Sequence, residues 1–391
     1  MGRLKFKKKI NILFVTSSRA DYGYLKELIK KIGEDRNFSV KIVVTGSHLN
    51  KNFGLTYKEI IKDGIKIFKK IKIKNFADTR YSTIECISKT MKSFGNFFSK
   101  TKVDILILVG DRYEIFGVAV AAYTAGIKIA HIGGGEVTEG SFDDSFRHSI
   151  SKMSYLHFAS QNLYKKRLIQ LGENPNRIFV TGNLALQNLK NIKILKKKDI
   201  EKILKIKFLK KSLLVTLHPE TFNYHKRKNI ITNLLRVISN LSETTIIFTC
   251  PNADPDNKIL FRHIKKFIKK NKKNKYFFYS LGQSIYFSCI KNVDVVVGNS
   301  SSGINEVPYF KTPTLNIGNR QTGRYFPTSV INVKDNIKDI DKGLKKIFYM
   351  KEKLQKKNFY NFYNKKGVRK IVKILKLKYP YKQNLNTFFD L

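Results

Sequence analysis

Acidic and basic side chains crowd into the stretch from Gly110 to His148. It reads G-D-R-Y-E, then an apolar run of helix length, then A-H-I-G-G-G-E-V-T-E-G-S-F-D-D-S-F-R-H. Carboxylates in different surroundings can divide a proton transfer into base and acid duties, because burial and like charge push their pKa values apart. Asp111, Glu136 and Asp143 are therefore the candidate acid/base groups. Asp143 and Arg147 stand four apart, on one face of the helix they would start. Gly133, Gly134 and Gly135 cost backbone entropy, and they let the chain approach a ligand closely or turn through positive φ. Bland readings stand beside these: Asp111 as a helix N-cap, Arg112 and Glu114 as a surface ion pair, His131 as a satisfied structural histidine.

Two further stretches suit an anion. T-S-S-R-A-D-Y-G offers the Thr16, Ser17 and Ser18 hydroxyls and the Arg19 guanidinium at a helix N-terminus, where the dipole favours negative charge, or is a capped helix with a solvated Arg. V-V-V-G-N-S-S-S-G-I-N-E-V-P forms a small, hydroxyl-rich turn from Gly298 to Gly303 that opens a helix. Backbone N–H groups with Ser300, Ser301 and Ser302 there suit a diphosphate, and Glu306, one turn on, suits ribose hydroxyls. The alternative is a serine-rich cap. His218, in V-T-L-H-P-E-T, suits contact with a phosphate or proton transfer, or is a surface loop histidine. Arg320 and Arg324 add phosphate contacts or are solvated. No G-x-G-x-x-G and no G-x-x-x-x-G-K-[ST] occurs, which argues against a nicotinamide or kinase site.

The elements that must position these residues follow from short apolar runs. Expected strands are 10–16, 40–45, 65–73, 104–109, 127–132, 156–159 and 178–180, with helices notably at 23–32 and 83–98. Alternation of this kind implies a parallel sheet covered on both faces. After a Lys-rich linker and helix over 188–211 the pattern restarts with strands at 213–217, 245–248, 276–279, 293–297 and 314–317. The fold class is therefore α/β with two Rossmann-like domains, 1–190 and 191–378. The second would carry a helical stretch over 337–378, and 379–391 would be a frayed tail. Ligands in open α/β sheets sit at the carboxyl ends of strands, which is where Asp111, Glu136, His218 and the serine turn fall. Two such domains facing across a cleft would bring the acidic groups opposite the turn.

At 391 residues, two domains are expected. Lys and Arg number 76 against 29 Asp and Glu, a formal charge of +47. Lysines spread along the whole chain, with abundant Ile, Asn, Phe and Tyr and no Trp, match a codon bias and not the clustered Arg/Lys of a nucleic-acid face. No specific nucleic-acid partner is expected, and an anionic small substrate fits the field equally well. No apolar run reaches membrane-spanning length. The basic start leads directly into a strand, without an apolar signal-peptide core or cleavage site. Cys86, Cys250 and Cys289 share no metal or redox spacing, so a reduced cytoplasmic home without a metal site is expected.

S-R-A-D-Y-G, G-D-R-Y-E, H-I-G-G-G-E, D-D-S-F-R-H-S-I-S-K-M-S, L-H-P-E-T and G-N-S-S-S-G-I-N-E-V-P, in that order, resemble the hydrolysing UDP-N-acetylglucosamine 2-epimerases. The resemblance runs from about Ile10 to Val333 and is nearest the sialic and legionaminic acid branch. It implies the glycosyltransferase-B-like arrangement, a UDP-sugar substrate, no redox cofactor and a homodimer. It also implies phosphate contacts for Arg19 and His218, acid/base roles for Asp111 and Asp143, a role for Glu136, and nucleotide contacts for Ser301, Ser302 and Glu306. Gly134, Gly135, Arg147, Ser300 and Gly303 complete the expected substrate-binding set, with His218 also counted among the catalytic candidates. One departure stands out: related sequences usually read H-I-H-G-G-E, and Gly133 replaces the second histidine. The expected reaction eliminates UDP and rehydrates a 2-acetamidoglucal, releasing N-acetylmannosamine or a related manno-sugar for nonulosonic acid biosynthesis. E-V-T-E-G also resembles enzymes acting on UDP-2,4-diacetamido-2,4,6-trideoxyglucose. The alternatives are a glycosyltransferase of the same fold, which would leave C2 uninverted, and a nonenzymatic polyanion binder.

Overall fold

The computed structural model describes residues 8–73, 79–139, 141–189, 192–218, 227–250, 257–271, 273–354, 366–381 and 387–391. The described chain divides into two compact units. The first comprises residues 1–136, 143–190 and 362–391, the second 137–142 and 191–361.

The first unit contains β1 (Ile10–Thr16), β2 (Phe38–Val44), β3 (Lys69–Lys70), β4 (Ile105–Val109), β5 (Ile129–Ile132), β6 (Leu156–Ala159) and β7 (Ile178–Val180). Among the described residues they form one parallel sheet in the order β3-β2-β1-β4-β5-β6-β7. The need for unbroken apolar strands is visible in β1 and β4. Ile10, Ile12, Phe14, Ile105, Ile107 and Val109 enter the core on one face, while Leu13, Val15, Leu106 and Leu108 enter the core on the other. Only Lys69 and Lys70 of the run expected over 65–73 pair with the sheet, as an exposed two-residue edge.

The second unit contains β8 (Lys211–Thr216), β9 (Thr244–Thr249), β10 (Lys275–Phe278), β11 (Val295–Gly298), β12 (Thr314–Ile317) and β13 (Val330–Val333). Its parallel sheet has the order β10-β9-β8-β11-β12-β13. The edge strand β13, V-I-N-V and only partly buried, was absent from the strands expected from sequence.

Three assignments differ from the expected domains. The helical stretch over 337–378 is two helices, Ile337–Leu354 and Gly367–Leu377, and the last belongs to the first unit. Its Val368, Ile371, Ile374 and Leu375 join the core beneath β1 and β4, a contribution of about 1.5–3 kcal/mol for each fully buried side chain. The short segment Val137–Phe142, between Glu136 and Asp143, belongs to the second unit, where the Glu139 N–H donates to the Thr322 carbonyl at 3.1 Å. The end of the chain is also held: the Phe389 N–H donates to the Gly172 carbonyl at 2.9 Å, and Phe388 lies where a side chain on Gly172 would be. Residues 387–391 are therefore not a frayed tail, because Gly172, at φ +80°, leaves room for the ring.

Candidate active site

In the first unit the strand register determines which residues meet. Val109 of β4 pairs with Ile132 of β5, and Ile132 with Phe158 of β6. Asp111, Glu136 and Ser160 therefore emerge from adjacent strands at one sheet edge. The helix Asp143–Lys152 brings Arg147 to them. Arg147 is 2 % exposed and works entirely inside the protein. Its Nη1 donates to the Glu136 carbonyl and to Asp144 Oδ1, both at 2.9 Å, and its Nη2 donates to Asp111 Oδ2. Burial opposes its charge, but Asp111, Glu136, Asp144 and Asp143 outweigh burial and raise its pKa. Arg147, expected among the substrate contacts, is thus a brace for the acidic cluster. The spacing argument paired it with Asp143, whose charge does act on it, and Asp144, three residues away, accepts from it as well. Both spacings fit a helix. The Ser160 hydroxyl donates to Glu136 Oε1 at the long distance of 3.5 Å.

Asp111 is not a helix cap. The cap position of Tyr113–Thr124 is Arg112, whose side chain makes no capping bond. Arg112 and Glu114 are not a surface pair either: Nε and Nη2 donate to the two Glu114 oxygens at 3.1 and 3.2 Å, and Glu114 is fully buried. Burial pushes the Glu114 carboxyl up, and Arg112 opposes that push.

His131 is a structural member of this edge. Its Nε2 lies 2.9 Å from the Gly110 carbonyl, which only accepts, so Nε2 carries the proton, and Nδ1 lies 3.1 Å from Ser151 Oγ, whose hydroxyl donates to the Arg147 carbonyl at 3.1 Å. Burial pushes its pKa down to about 4. The glycines beside it are required mainly by the protein itself. A Cβ on Gly134 would lie 2.7 Å from Ser151 Oγ, and one on Gly135 2.3 Å from the Tyr164 carbonyl. Internal packing by itself therefore requires glycine at both positions. Gly133 differs: at φ +90° its nearest neighbour would be the Gly110 nitrogen at 4.0 Å, so open space remains there.

The first loop is also turned inward. Asp21 Oδ2 accepts from the Ser17 N–H and hydroxyl at 2.9 and 2.7 Å and from the Ser18 N–H at 3.0 Å, while Oδ1 accepts from the Ser18 hydroxyl at 2.8 Å. Thr16 Oγ1 meets His48 Nε2 at 3.0 Å, and His48 Nδ1 meets Thr56 Oγ1 at 2.8 Å. The donors expected to meet a ligand are thus engaged by a carboxylate of the same helix, a capping box that the N-terminal dipole favours. Arg19 is half-buried and acts electrostatically on both His48 and Glu59.

Burial also pushes His48 down to about 3. Both histidines have folded-state values below the ordinary 6.5, so between pH 6.5 and about 4 the unfolded chain takes up protons that the folded chain refuses. Stability contributed by the two is fully present above pH 6.5 and is lost as pH falls toward 4. Thermal melting of the first unit should drop across that window in wild type. It should drop less in His48→Gln, referenced to that variant's own value at neutral pH; equal slopes would contradict the assignment.

In the second unit, β11 ends at Gly298, where φ is +143° and a Cβ would lie 1.9 Å from the Thr216 carbonyl. The turn that follows opens only a four-residue helix, Ser302–Asn305. Its dipole is correspondingly small, so affinity for an anion would rest on local N–H groups and hydroxyls. Ser301 occupies the cap position without a side-chain capping bond, while Ser300 Oγ accepts from the Ser302 N–H at 3.4 Å, so a serine of the turn does cap the helix start. Tyr286 donates to Ser302 Oγ at 3.1 Å, Ser300 and Ser301 are partly exposed, and Gly303 packs against Thr314. Glu306 follows the helix, half-buried. His218, just past β8, is 5 % exposed; Pro219 and Glu220 lie outside the described residues. Sequence reasoning counted Asp144 among the converging groups but missed Asn299 and Gln321, whose only sequence signal was a polar residue beside a strand end, and gave no role to Asp21, which stands at capping-box spacing from Ser18.

Two Rossmann-like α/β units, each with polar residues at its strand ends, place the chain in the GT-B-like class. The UDP-N-acetylglucosamine 2-epimerase family model matches residues 30–376. Over 339 residues the chain is 41 % identical to the GDP/UDP-N,N'-diacetylbacillosamine 2-epimerase (hydrolyzing) of Campylobacter jejuni, covering 87 % of this chain and 88 % of that one. It is 38 % identical over 337 residues to polysialic acid biosynthesis protein P7 of Escherichia coli, covering 85 % of each. The crystal structure of the Neisseria meningitidis UDP-GlcNAc 2-epimerase bound to UDP-GlcNAc has a TM-score of 0.80 at 18 % identity, covering 94 % of this chain and 100 % of that one. The chain belongs to the UDP-N-acetylglucosamine 2-epimerase family and is an epimerase-family enzyme. Among the described residues no helix is long and apolar enough to cross a membrane.

Proposed function

We propose that the chain is a hydrolysing 2-epimerase of a UDP-sugar, with Asp111, Glu136 and Asp143 as its acid/base groups. The observation that carries this is the Arg147 brace, which holds the Asp111 carboxylate and the Glu136 backbone at one strand edge. One carboxylate removes the C2 proton as the C1–O bond to UDP breaks, leaving a 2-acetamidoglucal. Water then adds its oxygen at C1 and loses one O–H proton to solvent, while a second carboxylic acid delivers a proton to the opposite face of C2; the two carboxyl groups return to their starting states by exchange with solvent. The sequence is redox-neutral, so no hydride carrier is required. The C2 hydrogen is not acidified by a carbonyl, and stabilising the departing diphosphate is therefore the larger demand. Arg19, His218, Ser300, Ser301, Ser302 and Glu306 are the groups proposed to meet the nucleotide. The product is a manno-configured sugar for nonulosonic acid synthesis. A cytoplasmic homodimer belongs to the same reading, and Tyr81 and Ile84, 72 and 64 % exposed, are available for contact with a second copy.

UDP-N-acetylglucosamine is the reference substrate. A UDP-2,4-diacetamido-2,4,6-trideoxy sugar is favoured by the space left at Gly133 and by similarity to two enzymes named for diacetylbacillosamine, from C. jejuni and Legionella pneumophila. Proton NMR in heavy water with each UDP-sugar tests both readings. Released UDP with deuterium at C2 of a manno-sugar is expected, and the higher kcat/KM identifies the substrate. Turnover without C2 inversion or deuterium would leave a glycosyltransferase as the better reading.

A further inference from the structure

Asn299 is fully buried directly after the last residue of β11. Its side chain engages one peptide unit on each side of His218: Oδ1 accepts the His218 N–H at 2.7 Å, and Nδ2 donates to the His218 carbonyl at 2.9 Å. Its own carbonyl accepts from Gln321 Nε2 at 2.8 Å and from Arg320 Nη1 at 3.3 Å. Gln321 is itself fully buried. A single residue thus ties the end of β8, the first residue of the serine turn and the loop after β12 into one frame. Simple burial of a polar group would not require both backbone groups of one particular residue to be matched. Among side chains in their ordinary state at neutral pH, only a carboxamide offers an acceptor and a donor side by side in this way.

We infer that Asn299 is a positioning residue for His218, setting the imidazole against the serine turn. The inference rests on the proposed role of His218 with the substrate. Asp in place of Asn keeps the acceptor for the His218 N–H but turns a second oxygen toward the His218 carbonyl, across the 2.9 Å that Nδ2 now bridges. Repulsion follows unless that oxygen is protonated, in which case it donates and the clamp reforms.

The test compares wild type, His218→Ala, Asn299→Ala and Asn299→Asp as full-length enzymes with the better UDP-sugar. Folding is checked by thermal melting and near-ultraviolet circular dichroism. Both Asn299 variants are expected to lose about 10²-fold in kcat, the scale of a misplaced catalytic group, with KM changed less than about 3-fold. The ratio of Asn299→Asp to wild-type kcat should rise as pH falls from about 8 to about 5, toward the ordinary Asp range. A role confined to stability would lower the melting temperature and leave kcat per folded molecule and its pH profile unchanged, which overturns the inference. Full activity of His218→Ala would instead overturn the assigned role of His218. If neither Asn299 variant folds, Gln321→Met decides: a fall in kcat at constant KM supports the frame, and wild-type kcat refutes it.

Discussion

Asp111→Asn is expected to lower kcat by about 10³-fold, within the 10²–10⁴ range of a positioned acid or base. The substitution conserves shape, and its Oδ1 can still accept from Arg147, so the brace and the melting temperature should survive. What disappears is the ability to carry a proton. UDP affinity, measured by calorimetry, should change less than about 2-fold, because the proposed nucleotide contacts lie on other residues. His131 is the neighbouring histidine in contact with the preceding residue, and burial holds it neutral above about pH 4 with Nε2–H committed to the Gly110 carbonyl. It is therefore no substitute base. A kcat within about 10-fold of wild type would remove Asp111 from the reaction.

Arg147→Leu should have the larger effect on stability. The guanidinium is almost wholly buried, whereas Asp111 and Asp144 keep 21 and 23 % of their side-chain exposure. Removing the buried partner leaves two carboxylates and the Glu136 carbonyl facing an apolar side chain. Breaking a buried pair costs roughly 3–5 kcal/mol, and partial hydration of the carboxylates places the loss near about 3 kcal/mol. The first unit should then melt roughly 6–12 °C lower. Calorimetry resolving separate transitions is the appropriate readout, since two units need not unfold together. Arg147→Lys should recover part of the loss, because the charge remains while the forked geometry does not. An unchanged melting temperature in Arg147→Leu would mean that the brace contributes nothing net.

The success and failure of sequence reading have physical causes. Strands such as V-D-I-L-I-L-V were legible because both faces of a central parallel strand must be apolar, and few other structures need that pattern. Strand ends were legible for the same reason, and with them the convergence of Asp111 and Glu136. Edge strands were harder: β13 presents little burial, and β3 is two exposed lysines whose ammonium groups lie over Phe97 and Tyr57. The helix Gly367–Leu377 announces an apolar stripe in its sequence, but a stripe specifies that something must cover it and not which sheet does so. The donors of the first loop looked available to a ligand because a capped helix, to which the Ser18-x-x-Asp21 spacing points, was weighed only as the alternative.

The order of apolar runs and turn residues determined by itself that this chain builds two α/β units and carries acidic groups at the strand ends of the first. That information is local, since a strand's periodicity and its terminus are written within a few residues. Tertiary structure alone decided which groups touch. It brought Asp144 onto Arg147, turned Arg147 inward, assigned the last helix to the first unit, and clamped His218 with Asn299 from 81 residues away. Such choices depend on distances between segments remote in sequence, which no local pattern encodes.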